Sequence, residues 1–285
     1  MQGKASAPAA GTVLNALSTG VGSAFAIDEY TTATVELSED DGGFEGDVED
    51  EPDADTRLIE TCVEYVVDAH GPDDVGGTVR TESDVQMASG LKSSSAAANA
   101  TVLATLDALG KSDRMTREDA ARLGVMAARD VGVTATGAFD DASASMLGGV
   151  TITDNDDDDL LSREEVDWDV LVWTPPEQSF SADADIRRCQ QIAPMARLVE
   201  DLALSSEYQR AMTVNGFAFC AALGFDPEPL VEGLRQVEGV SLSGTGPSFT
   251  AVGERPALEQ VREYWSERPG RTWLTTTQTE GTQIL

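Results

Sequence analysis

Residues 88–110 read ASGLKSSSAAANATVLATLDALG, a glycine-serine loop running straight into an alanine-rich apolar helix. A helix start exposes unpaired backbone N–H groups and carries roughly half a positive charge. Gly90 lets the backbone approach an anion closely. The hydroxyls of Ser93, Ser94 and Ser95 can cap the helix, donate to phosphate oxygens or reach a metal ion, and Lys92 adds a point charge. Alanines at 96 to 98 and 100 allow tight packing behind such a site. A fold for this chain has to pack around that helix and leave its first turn open. The bland alternative is that Ser93 or Ser94 is only an N-cap.

Charge narrows the partners. The chain carries 51 acidic against 19 basic residues, a formal net charge of −32, and lysine occurs only at positions 4, 92 and 111. So uniform an acidic excess argues against nucleic acid, whose phosphates need clustered Lys and Arg. Hydrophobic residues make up 41% and fall periodically between the acid runs, which argues for a folded chain. The composition fits a soluble cytoplasmic protein in molar salt, where the screening length falls to roughly 3 Å. At lower salt the same charge should push the compact state apart.

Cys62, Cys189 and Cys220 form no CxxC pair, so neither a disulfide framework nor a zinc site is expected. The opening MQGKASAPAAG lacks the apolar run of a signal peptide, and the most apolar stretch, Val214 to Phe225, is too short to span a bilayer. No membrane role follows. The oligomeric state is left open, a homo-oligomer included.

The element pattern predicts an α+β fold, with helices and strands grouped rather than strictly alternating. Thr31 to Leu37 alternates as a strand, and the acid-rich stretch from Glu39 to Asp55 reads as a solvated turn or loop. TRLIETCVEYVVDAHG spaces its apolar residues as an amphipathic helix, and TVRTESDV reads as a strand. Helices follow over Ser95 to Leu109 and Thr116 to Val131, then a loop with a short helix in TGAFDDASASMLGG. VTIT and DVLVWTPP are strands on either side of an acidic loop. The chain is then mostly helical to Val237, before a strand, a glycine loop, a helix over Pro256 to Arg268 and a last strand, RTWLTTT. The division between two halves falls near Gly149 to Glu165, giving domains 1–155 and 156–285.

Two phosphate motifs fail on inspection. The GKS at Gly110 to Ser112 ends a helix and has threonine at 105, so it is not a GxxxxGK[ST] loop. The pairs Gly20, Gly22 and Gly244, Gly246 each lack the third glycine of a dinucleotide fingerprint, where Phe25 and Phe249 stand.

Gly90-Leu91-Lys92-Ser93-Ser94-Ser95-Ala96-Ala97 resembles the central phosphate loop of the GHMP small-molecule kinases. SAPAAGTVLNALSTGVGSAFAID, Ser6 to Asp28, resembles the first motif of that superfamily, and SLSGTGPSFTAV, Ser241 to Val252, its third. All three occur in the right order and spread over nearly the full length. Their wording, with TGAFDDASAS, is most similar to the archaeal shikimate kinases, which tolerate Lys92 in place of the usual middle glycine. The resemblance implies a two-domain α+β fold, ATP and Mg2+ as cofactors, and shikimate as the small-molecule substrate. It assigns the phosphates to Ala88, Ser89, Gly90, Leu91, Lys92, Ser93, Ser94, Ser95 and Ala96.

Phosphoryl transfer needs charge neutralisation, alignment and a group that accepts the alcohol proton. Asp140 and Asp141 follow a flexible Thr136-Gly137 pair among small residues. Aspartate-using GHMP kinases place the base seven residues before a glycine turn. Counting back from Gly148 gives Asp141, with Asp140 the runner-up, and Lys92 is counted with them as catalytic. By the same resemblance the magnesium acid lies eleven residues earlier, at Asp130, and shares the ion with Ser94. An acid near a helix C-terminus is locally unfavourable, which favours a functional role for Asp130.

Shikimate's carboxylate calls for a cation, for which Lys4, Arg187 and Arg188 are candidates. Asp28 is a candidate for the hydroxyls, and Gly244, Thr245 and Gly246 form a loop that closes over substrate or phosphates. Homoserine or mevalonate kinase activity, or a non-catalytic ligand sensor, are the rival readings. DNDDDDLLSREE, Asp154 to Glu165, imitates a calcium loop, but position six is Asp159 rather than glycine and a strand precedes it.

Overall fold

A computed structural model describes residues 1–39, 42–49, 51–134, 138–179 and 184–285. The elements run in chain order β1 (Gln2–Leu14), β2 (Val21–Ser38), β3 (Phe44–Val48), α1 (Arg57–His70), β4 (Gly76–Ser83), α2 (Ser93–Ala108), α3 (Arg117–Asp130), α4 (Phe139–Leu147), β5 (Val150–Asp154) and β6 (Asp159–Glu164). The second half follows with β7 (Asp169–Thr174), α5 (Ile186–Gln191), α6 (Ala193–Leu204), α7 (Tyr208–Leu223), α8 (Glu228–Gly233), β8 (Gly239–Leu242), β9 (Phe249–Val252), α9 (Arg255–Trp265), β10 (Arg271–Thr276) and β11 (Gln283–Ile284). Among the described residues no helix is long and apolar enough to cross a membrane.

Two sheets carry these elements. The first runs β11-β1-β2-β4-β3, and the long β2 also pairs with β5, which pairs with β6. The second runs β10-β7-β9-β8. The length of β2 explains the branching. Its second half, from Thr31 to Ser38, pairs with β4, while its first residues, Val21 to Phe25, pair with β5. The 155/156 division read from the sequence falls in the turn between β5 and β6, and β11 brings the chain end back to β1.

The alanine-rich helix α2 is buried along almost its whole length, from Ala96 to Ala108, and packs against β1, β2, α1, α3 and α4. Small residues on both partners allow the close approach. A Cβ at Gly3 of β1 would fall 2.1 Å from the Ala104 carbonyl oxygen of α2. A helix with so little polar surface is stable only when covered, because its apolar area must leave water. One apolar cluster lies between the first sheet and α1 to α4, including Val35, Val63, Val79 and Leu103. A second joins the two sheets: Phe25 and Ile27 of β2 meet Val170 and Val172 of β7 and Met212 of α7.

The acid-rich segments differ from their reading as solvated loops. β3 runs parallel to β4 through the stretch Glu39 to Asp55, because Phe44, Gly46 and Val48 alternate with Glu45 and Asp47. Arg80 of β4 pairs with Asp47 at 3.6 Å and Glu49 at 2.7 Å, which anchors this edge. Likewise the imitation calcium loop is a β-hairpin, β5–β6, without the flanking helices of an EF-hand. The short β11 is a third strand that the periodicity does not show. Asp40, Asp41, Asp50, Thr136, Gly137 and Ser181 to Asp183, which figure in the sequence reading, lie outside the described residues.

Candidate active site

A cavity of about 830 Å³ opens over the start of α2. The first turns of α2 and α4 and the loop between β8 and β9 contribute to its walls, so the three glycine-rich segments meet there. Gly90, Lys92, Ser93, Ser94 and Ser95 line it, with Asp140, Asp141, Gly244 and Thr245.

The loop before α2 holds an unusual backbone. Ala88, Gly90 and Lys92 all have left-handed φ, at 55°, 86° and 65°. For the two non-glycines this costs on the order of 1 kcal/mol each, so the surroundings must enforce it. They do so through carbonyls. Met87 accepts from Gln178 Nε2 at 3.3 Å, Ala88 from the Ser179 amide at 2.9 Å and Ser89 from the Ser248 amide at 3.1 Å. Gly90 accepts from Ser243 Oγ at 2.9 Å and Leu91 from the Ala10 amide at 3.1 Å. Five consecutive carbonyls are thus spent on the protein body.

Lys92 is the N-cap residue of α2, and among the described residues no side chain caps this helix. The serine hydroxyls therefore are not consumed as caps, and the first-turn amides remain for a ligand. Such a start suits an anion. Left-handed Lys92 sends its ammonium to Asp141 Oδ1 at 2.6 Å, with side chains only 6% and 17% exposed. Asp140 is buried, and its carboxyl accepts from Asn155 Nδ2 at 2.8 Å. Burial first, and then the charge of Asp141, push the Asp140 carboxyl well above the usual carboxylate range, while Lys92 opposes the shift. One ammonium thus serves two neighbouring acids, and Asp141 is the one it touches. A carboxylate held this way can take a proton from an alcohol beside an anion seated on α2.

The supporting shell uses polar residues the sequence reading did not single out. Thr12 Oγ1 accepts the Gly244 amide at 2.7 Å, and Asn15 Nδ2 donates to the Gly244 carbonyl at 2.8 Å. Asn215 Oδ1 accepts the Asn15 amide at 3.0 Å. These buried bonds tie the first and third motifs to α7. An amide inside the apolar run TVLNAL was the available signal, since buried polar groups are normally satisfied.

Four assigned residues lie outside the lining of this cavity. Asp130 sits exposed at the end of α3 and accepts the Tyr65 phenol, so that contact answers its helix-end charge. Lys4 is half-exposed on β1 and lies 3.9 Å from Glu82, outside the cavity lining. Asp28 is exposed within β2 and accepts the Tyr30 hydroxyl at 2.8 Å. Arg187 is exposed on α5, and its neighbour Arg188 donates to the Ala221 carbonyl. Ser89, Leu91 and Ala96 are buried parts of the loop rather than lining. Gly246 packs behind Gly90. Arg57, which the sequence reading passed over, does line the cavity and forks onto Asp55.

Residues 57–149 match the family of GHMP kinases N terminal domain. A shikimate kinase of Halobacterium salinarum is 59% identical over 281 residues, covering 99% of each chain. A shikimate kinase of Methanosarcina mazei is 50% identical and covers 93% of this chain and 90% of its own. Among solved structures, a homoserine kinase of Cytophaga hutchinsonii aligns with TM-score 0.77 at 16% identity, over 100% of this chain and 97% of its own. The mevalonate kinase of Methanococcus jannaschii also aligns with TM-score 0.77, at 15% identity and 98% coverage of both chains. These two share the fold.

Proposed function

The chain belongs to the archaeal shikimate kinases of the GHMP kinase family, and from that premise we propose that it transfers the γ-phosphoryl group of ATP to the 3-hydroxyl of shikimate. The observation that carries the site assignment is the Lys92–Asp141 ion pair, set beside the uncapped start of α2 in one cavity. The amides and hydroxyls of Ser93 to Ser95 hold the nucleotide phosphates. Asp141 accepts the proton as the shikimate oxygen attacks, and the Lys92 ammonium, 2.6 Å away, holds that carboxylate in place. The loop through Gly244 and Thr245 borders the same space and closes over substrate.

Magnesium fits this donor set in part. Ser94 is exposed at the helix start, and among the described residues no three acidic, His or Cys side chains form a metal cage. Ser94 would hold the ion together with phosphate oxygens and water, and the ion would supply charge neutralisation on the triphosphate. The charge of −32 supports a molar-salt cytoplasm as the setting.

A coupled ADP-release assay in molar KCl, offering shikimate, homoserine and mevalonate side by side, tests the reading. Shikimate is expected to be turned over well above the other two. Preferred turnover of another alcohol would reassign the substrate, and no turnover with any would favour a ligand sensor.

A further inference from the structure

Asn155 stands in the turn of the β5–β6 hairpin, inside the DNDDDD run. It is 2% exposed. Its Nδ2 donates to Asp140 Oδ1 at 2.8 Å. Its Oδ1 accepts the Asp140 amide at 3.1 Å and the Thr153 hydroxyl at 2.7 Å. The backbone is held as well, since the Asn155 amide donates to the Gly20 carbonyl and its carbonyl accepts from Arg129. Arg129 also grips Asp158 at 2.6 Å, so the acidic turn is fastened to α3.

Among the described residues, the N-cap position of helix α4 makes no side-chain cap hydrogen bond. Its N-cap residue is Ala138, which has a left-handed φ of 54° and no oxygen in its side chain to offer. The Asp140 amide is in the first turn, and Asn155 supplies from another element the acceptor that an N-cap side chain normally provides. Gly22 completes the setting, because a Cβ there would fall 2.5 Å from the Asp140 carboxyl.

We propose that Asn155 is a positioning residue for the phosphoryl transfer: by gripping both the amide and the carboxyl of Asp140, it fixes the first turn of α4 and aims Asp141 at Lys92 and the cavity. This rests on the kinase reading above. It gives the acidic run that imitates a calcium loop a role in the kinase's own reaction.

The charged groups acting on Asp140 are Asp141 from its own helix and Lys92 from the start of α2. β2 presents Gly22 there, and the hairpin presents the neutral amide. A donor to a carboxylate favours the charged form, so losing it raises the Asp140 carboxyl further.

The test is kcat against pH for the unmodified protein, Asn155→Ala and Asn155→Asp, with ATP binding and thermal melting measured alongside. For Asn155→Ala, kcat is expected to fall roughly ten- to a hundredfold with ATP affinity nearly unchanged, because a small misaim of a reacting group costs that much. Asn155→Asp keeps an acceptor for the helix but replaces the donor with a like charge, so its acid limb should move up. An Asn155→Asp limb that stays in place, with kcat in both variants falling only as far as stability does, would overturn the inference. Wild-type kcat in folded variants would do the same. If Asn155→Ala does not fold, the near-isosteric Asn155→Asp carries the comparison alone. An unmodified protein that phosphorylates no alcohol would count against the kinase reading itself, and the inference falls with it.

Discussion

Replacing Asp141 with asparagine is expected to lower kcat by about 10² or more while ATP still binds, as seen by steady-state kinetics and calorimetry. The substitution keeps the shape and removes the basic oxygen. ATP binding should survive because the phosphates are assigned to the start of α2, which the substitution does not touch. Lys92 would lose its partner while only 6% exposed, a loss that is severe for an isolated buried charge. Here Asp140 is beside it. With the neighbouring charge gone, the effect that raises its carboxyl is weaker, and it can ionise to answer Lys92. A modest loss of stability with a large loss of turnover is therefore the expected signature. Near-normal turnover would move the base to Asp140 or dispense with one.

Gly90→Ala should weaken ATP binding at least tenfold and lower the melting temperature together. A methyl group there would lie 2.4 Å from the Ser243 carbonyl oxygen and 2.8 Å from that of Gly246. Both are backbone atoms and cannot swing aside, so the second and third motifs must separate. The left-handed φ of 86° adds strain on the order of 1 kcal/mol for any side chain. Separation also breaks the Ser243–Gly90 hydrogen bond and frees the carbonyl row that shapes the loop. Calorimetric titration with ATP and a thermal melt check both effects. Unchanged affinity in a folded variant would mean the phosphates bind elsewhere.

The parts of this molecule written in local chemistry were legible in the sequence. The loop into α2 showed its purpose through glycine, serines and small residues in one run, and the amphipathic α1 through its spacing. What the sequence did not show depended on distance across the fold. Asp130 satisfied a spacing rule and an electrostatic argument, but Tyr65, far away in sequence, supplies its partner. Lys4 and Arg187 were chosen for their charge alone, and β1 and α5 place them on other faces. β3 and β6 were hidden because acids on the exposed side of a strand look, in so acidic a chain, like any solvated loop. Asn155 left a trace, as the lone amide in a run of aspartates, yet its contact with Asp140 needs the hairpin to bring it there.

The structure that decides the matter is a complex of this protein with a non-hydrolysable ATP analogue and shikimate. The terminal phosphate is expected against the amides of Ser93 to Ser95, and the 3-hydroxyl within hydrogen-bond reach of Asp141. A triphosphate bound away from the start of α2, or a hydroxyl directed at some other group, would contradict that expectation.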